Sequence, residues 1–260
     1  MNLLIGDIGN TTTKICLINS SNLKIKKIIY FDSRKILSKS YLTKRIKKFL
    51  KKNEVFKISL FSSVVPKYFL ILKKLIQKNY KIYLKEIKDK DINKIIKINV
   101  KNKKQVGSDR IANAVGVYKK YKYNCIVLDF GTATTFDVVT KSGLYNGGII
   151  APGVNLSINS LIGSADQIPI FSIRKQKKII GKNTLEALRS GFYWGYTGLI
   201  NNIILKIERE TNKKYKIVFT GGYANLFKTS IIRPFVIDKN ITIRGITEIF
   251  KKNIKTKSNE

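Results

Sequence analysis

Residues 3–17 read LLIGDIGNTTTKICL. An apolar run reaches Asp7, passes through Ile8, Gly9 and Asn10 into three threonines and Lys14, and is apolar again from Ile15. Two short strands joined by a polar turn account for this locally. The apolar residues favour burial, and Gly, Asn and Asp are residues that a tight turn accepts. The pattern returns 122 residues later. CIVLDFGTATTFDVVT (125–140) runs through apolar residues into Asp129-Phe130-Gly131, then Thr132, Ala133, Thr134 and Thr135. A repeat at nearly half of 260 residues predicts two equivalent lobes, 1–118 and 119–260, with their Asp-x-Gly turns facing each other across a cleft.

The chemistry of such turns is that of anion binding. Glycine lets backbone N–H groups approach an anion closely. Threonine hydroxyls and the Asn10 amide add neutral donors, and Lys14 adds a positive charge. Carboxylates repel phosphate, so Asp7 and Asp129 make sense if they hold a cation, or its water shell, that phosphates also touch. Either turn alone would read as an ordinary β-turn; the matched pair argues against that. There is no G-x-x-x-x-G-K-[ST] and no G-x-G-x-x-G after a strand, which excludes a P-loop and a Rossmann dinucleotide site. A third glycine turn, Thr220-Gly221-Gly222, would let a flat base or a ribose lie on the backbone.

Gly107-Ser108-Asp109-Arg110 opens a predicted helix over 108–121. Asp109 suits the first turn of a helix, or it serves as base for an acceptor hydroxyl, with Arg110 pairing to a carboxylate or phosphate. The helix N-terminus favours its ionised form, making it a weak base, which phosphoryl transfer tolerates. Thr184 starts a second predicted helix, 184–211, where its local reading is an N-cap.

Other segments follow hydrophobic period and punctuation. Strands are expected at 3–8, 13–19 and 24–30 as an antiparallel meander, and at 55–65, 81–84, 143–153 and 216–222. Helices are expected at 40–53, from Pro66, from 155, and at 245–254. Residues 86–106 read as a loop, and 164–181 as irregular.

The chain has no histidine, which excludes Ser-His-Asp and Cys-His schemes and most zinc sites. Its two cysteines, Cys16 and Cys125, lie in strand-like runs without metal-ligand spacing and read as buried, reduced thiols of a cytoplasmic protein. Net charge is +35. The basic residues are mostly lysine and spread along nearly every segment, which reads as a solvated coat, so no specific nucleic-acid partner is expected. No apolar run is long enough to span a membrane. The opening run lacks a basic leader and is broken by Asp7, so no signal peptide is expected.

In order along the chain, DIGNTTTK (7–14), GSDR (107–110), DFGTATT (129–135), GGIIAPG (147–153), GKNTLEALRSG (181–191) and TGG (220–222) resemble the motifs of type III pantothenate kinases. That family belongs to the actin-like superfamily with sugar kinases and chaperone ATPases. The resemblance implies an α/β, duplicated ribonuclease-H-like fold with two lobes and ATP in the interlobe cleft. It implies that Asp7, Ile8, Gly9, Asn10, Thr11, Thr12, Thr13 and Lys14 hold the ATP phosphates and that Thr132 also contacts ATP. Asp129 would bind a monovalent cation, potassium or ammonium, with magnesium accompanying ATP. Asp109 would accept the proton of the pantothenate hydroxyl. Gly107, Ser108, Asp109 and Arg110 would line the pantothenate pocket. Thr184 would contact pantothenate, across the interface of a homodimer. The product would be 4′-phosphopantothenate, on the way to coenzyme A. Val100 and Lys103 stand where the family usually has an aromatic residue and a proline. That departure keeps a kinase for another small hydroxy acceptor open, and a transcription-linked regulatory protein on the same fold is the remaining alternative.

Overall fold

The opening strand–turn–strand forms a hairpin: β1 (Asn2–Ile8) pairs antiparallel with β2 (Thr12–Asn19), with Asp7 opposite Lys14. The computed structural model describes residues 2–51, 55–229 and 231–254. These form two compact units, one of residues 1–122, 142–145 and 240–260, the other of 123–141 and 146–239.

In the first unit, β3 (Ile25–Asp32) completes the meander. Next comes α1 (Lys39–Phe49), whose first turn is capped by the Ser38 hydroxyl accepting from the Tyr41 N–H. The helix was expected to reach residue 53; it ends at Phe49, and residues 52–54 lie outside the described ones. β4 (Ile58–Ser63) runs parallel to β1, and α2 (Pro66–Tyr80) begins on its proline, which has no N–H to leave unsatisfied there. β5 (Tyr83–Glu86) pairs parallel with β4, giving the sheet order β3-β2-β1-β4-β5. Leu4, Ile8, Leu17 and Phe61 of this sheet pack with Leu42 and Ile46 of α1 and Leu72 and Ile76 of α2.

The segment expected as a loop, 86–106, holds three 3-10 turns (Ile87–Asp89, Ile92–Lys94 and Lys103–Gln105) and the two-residue β6 (Lys97–Ile98). Such short elements leave no periodic trace. α3 (Ser108–Tyr121) follows with the bounds its sequence suggests.

The second unit holds β7 (Cys125–Phe130) and β8 (Ala133–Val139), the second hairpin, and then β9 (Leu144–Pro152). The first two residues of β9 belong to the first unit, where they pair with β6. α4 (Val154–Ser164) is followed by an irregular stretch and by α5 (Thr184–Thr211). β10 (Lys216–Gly221) lies parallel to β7, and β11 (Phe235–Ile237), absent from the sequence expectations, lies parallel to β10. Leu128, Phe136 and Phe219 pack with Tyr193 and Ile200 of α5 and with Phe227.

The chain's last described helix, α6 (Ile241–Ile254), belongs to the first unit and packs against α3, β1 and β4. It begins four residues before the expected 245. The added turn is held by tertiary contacts: Ile241 and Ile243 are buried, and the Thr242 hydroxyl donates to Asn113 Oδ1 of α3 at 2.7 Å. A side chain at Gly245 would overlap the Ala112 carbonyl, so glycine permits this close helix approach.

Candidate active site

Parallel pairing brings the carboxyl ends of three strands of the first unit together. Asp7 is level with Ser62, Ile8 with Ser63, and Phe61 with Glu86. Carboxyl ends of parallel strands are where open α/β sheets bind ligands. The turn leaving β1 is closed by the Gly9 N–H donating to the Thr12 carbonyl at 3.1 Å. Asn10, Thr11 and Thr12 are exposed, and Asp7, Gly9 and Lys14 are half-buried. Ile8 and Thr13 differ from the other expected phosphate contacts, because both side chains are fully buried. Ile8 sits in the core, and the Thr13 hydroxyl shares a 2.8 Å hydrogen bond with Ser33 Oγ. They can offer a ligand only backbone atoms. The Lys14 ammonium lies 5.4 Å from the centroid of the Tyr30 ring, a cation–π contact that holds it beside the turn.

The GSDR motif docks at the same sheet end. Ser108, expected to line a substrate pocket, is buried and spends its hydroxyl on β4. Its oxygen accepts from the Ser63 N–H at 2.9 Å and from the Ser62 hydroxyl at 3.1 Å, and its proton goes to the Ser63 carbonyl at 2.8 Å. The start of α3 is thereby stapled to β4. Asp109 folds back so that a side chain on Gly107 would come within 2.5 Å of its Oδ1, which also accepts the Arg110 N–H at 2.8 Å. Burial pushes the Asp109 carboxyl above the ordinary aspartate value, outweighing the Arg110 backbone hydrogen bond and the charges of Arg110 and Lys88. Burial thus works against the ionised form that the start of a helix favours. The Arg110 guanidinium lies 6.0 Å from the ring centroid of Tyr145, a buried residue of β9.

Sequence reasoning missed Tyr145, Glu86 and Lys88. Val100 brings no ring to this region, but the neighbouring Asn99 N–H donates to the Tyr145 carbonyl at 2.9 Å, so an aromatic arrives beside Arg110 from β9. The fragment Tyr145-Asn-Gly-Gly was the available signal, but only the β6–β9 pairing reveals its use.

In the second unit, Asp129 is opposite Thr135 and level with Thr220. The Gly131 N–H donates to the Ala133 carbonyl at 3.1 Å, closing a turn like the first. Glycines press on it from two sides. A side chain on Gly153 would overlap the Thr132 carbonyl. Gly221 has φ +84°, and its Cβ would lie 2.6 Å from the Phe130 N and O and 2.7 Å from Asp129 Oδ1. The fit to an ion follows from the donors: one carboxylate among backbone and hydroxyl oxygens suits a hard, weakly charged cation. Among the described residues there is no cluster of three or more His, Cys, Asp or Glu of the kind a transition metal takes.

Thr184 belongs to α5. The cap of α5 is Asn183, whose Oδ1 accepts the Glu186 N–H at 2.9 Å, so Thr184 is the first helical residue and not the cap. Its exposed side chain lines an open groove of about 550 Å³ with Leu161, Leu188, Phe192 and Leu199, whose lining includes neither Asp129 nor Thr132.

The type III pantothenate kinase profile matches residues 3–206. The chain belongs to that family. Type III pantothenate kinase of Pelagibacter ubique is 48% identical over 94% of this chain and 96% of its own length. That of Paramagnetospirillum magneticum is 38% identical over 75% of each. MreB 5 of Spiroplasma citri, solved bound to AMPPNP, superposes with a TM-score of 0.53 at 13% identity, covering 99% of this chain and 98% of its own. That likeness shows that the chain shares the actin-like α/β fold of that structure.

Proposed function

We propose that Asp109 is the proton acceptor in the activity that goes with this family, ATP-dependent phosphorylation of pantothenate to 4′-phosphopantothenate in coenzyme A biosynthesis. The pantothenate hydroxyl oxygen attacks the γ-phosphorus of ATP, the bond from that phosphorus to the ADP oxygen breaks, and the hydroxyl proton passes to the Asp109 carboxylate. One observation carries this reading. A half-buried carboxylate of raised basicity starts α3, at the strand ends that also bear the Gly9–Thr12 turn. Such a group is better matched to taking a proton near neutral pH than an ordinary aspartate.

The exposed donors Asn10, Thr11 and Thr12, with Lys14 and the backbone from Ile8 to Thr13, hold the phosphates. We assign Thr132 to ATP as well. Gly107 and Arg110 face pantothenate, with Arg110 suited to its carboxylate. Asp129 and the carbonyls of its turn would hold a potassium or ammonium ion, which with the divalent metal of ATP supplies positive charge for the phosphates. The groove along α5 supports a homodimer. Gly191, Gly195 and Gly198 leave open space where side chains would stand, and the exposed Leu161 lines the same groove. Thr184 would then reach pantothenate from across that interface. A cytoplasmic location agrees with Cys16 and Cys125, buried thiols that burial pushes up to about 12. No helix among the described residues is long and apolar enough to cross a membrane. We assign no nucleic-acid role to the +35 charge.

Asp109→Asn tests the assignment. ADP release falls by about 10²–10⁴ while ATP binding persists; near wild-type turnover would remove Asp109 from the mechanism. A stability readout accompanies it. The raised carboxyl stabilises the fold fully below the ordinary aspartate pKa, and that contribution is lost as pH rises through the folded-state value. The variant therefore melts higher than wild type above that window and not below it.

A further inference from the structure

Glu86 ends β5 and lies outside every motif considered above. Its carboxylate has a dense set of partners. Oε1 accepts the Ser63 N–H at 3.4 Å, an N–H that also donates to Ser108 Oγ at 2.9 Å, and Oε2 accepts the Lys88 N–H at 2.7 Å. The Glu86 N–H donates to Asp89 Oδ2 at 3.1 Å, so Glu86 and Asp89 close a reciprocal cap around the turn carrying Lys88. Lys88 has two consequences for the site. Its ammonium donates to the Lys104 carbonyl at 3.2 Å, tying down the 3-10 turn just before GSDR, and its charge acts on Asp109.

One carboxylate thus reaches both sides of the candidate base: the Ser63 N–H that also holds Ser108, the residue before it in α3, and the turn bearing a cation that acts on it. We propose that Glu86 is a positioning residue for the kinase reaction, holding the start of α3 and the Lys88 turn in the arrangement in which Asp109 takes its proton. This deepens the reading of Asp109 as base and rests on it. The charged groups around Asp109 in this arrangement are Arg110 on its own helix, Lys88 on the turn, and Glu86 and Asp89 beside that turn.

The test is a double-mutant cycle on the full chain with Glu86→Gln and Lys88→Met, reading kcat, KM for ATP and the pH profile. Lys88 is exposed and Glu86→Gln is nearly isosteric, so both variants keep the fold; melting curves check this. Glu86→Gln lowers kcat by roughly tenfold to a hundredfold, the scale of a small misplacement at the reacting centre, with KM for ATP unchanged. Losing a cation raises the Asp109 pKa, so Lys88→Met moves the acid limb of kcat/KM to higher pH. Glu86→Gln releases the same turn but also removes an anion, which opposes a shift of that limb, so its effect is read from kcat; the double variant is less impaired than the product of the two singles. Unchanged kcat in Glu86→Gln, or strictly multiplicative losses, would overturn the proposal. Asp109→Asn in the same series separates the two readings. If it is active, the base assignment fails; if it is inactive while the cycle is multiplicative, only the role of Glu86 fails.

Discussion

The two Asp-x-Gly turns share a plan and differ in what surrounds them. Both leave an apolar strand, both close with a glycine N–H donating at 3.1 Å, and both return as an antiparallel strand. The first is open: a side chain on Gly9 would meet only the Thr12 carbonyl, at 3.1 Å, and Asn10 to Thr12 face solvent. The second also exposes its tip, Gly131 and Thr132, but backbone presses on its flank, with Gly153 against Thr132 and Gly221 against Phe130 and Asp129. The comparison separates two tasks. An open turn with exposed hydroxyls can follow a phosphate chain as it binds and leaves. A turn fixed by backbone contacts can keep oxygens in place for an ion, whose binding depends on their spacing.

Gly153→Ala gives the largest effect expected from this contrast. The new methyl must displace the Thr132 carbonyl, costing roughly 1–3 kcal/mol in a thermal melt and abolishing turnover. Gly9→Ala is its comparison, with a smaller loss of melting temperature, since its methyl meets the Thr12 carbonyl only at 3.1 Å. Equal damage from both substitutions would erase the distinction between the turns. Next in size, Asp129→Ala removes the response of turnover to potassium while melting remains cooperative. A wild-type potassium response would place the ion elsewhere. The smallest effect belongs to Thr13→Val. It breaks the buried bond to Ser33 and costs about 1 kcal/mol in denaturant unfolding, with KM for ATP unchanged. A clear rise in that KM would show that the Thr13 hydroxyl turns outward to meet the phosphates.

The hairpins, α3 and α5 were legible because local chemistry determines them: apolar runs, turn residues and helix periodicity over many residues. β6 and β11, with two and three residues, carry no such pattern and exist only through their partners. The same divide runs through the site. Asp109 and Asp129 stood out by type and spacing. The duties of Ser108 and Thr13 did not, because whether a hydroxyl faces a ligand or a buried neighbour depends on contacts far along the chain. Glu86 was invisible for that reason: its partner Ser63 lies 23 residues away and meets it through strand register. The raised basicity of Asp109 is likewise a tertiary property, since helix position alone predicts the opposite.

ADP release by the purified wild-type chain, measured with and without pantothenate and with potassium present or replaced by sodium, bears on all of this at once. Release that requires both pantothenate and potassium is the predicted result. Release driven by another hydroxy acid but not by pantothenate, or no release despite bound ATP, would contradict it.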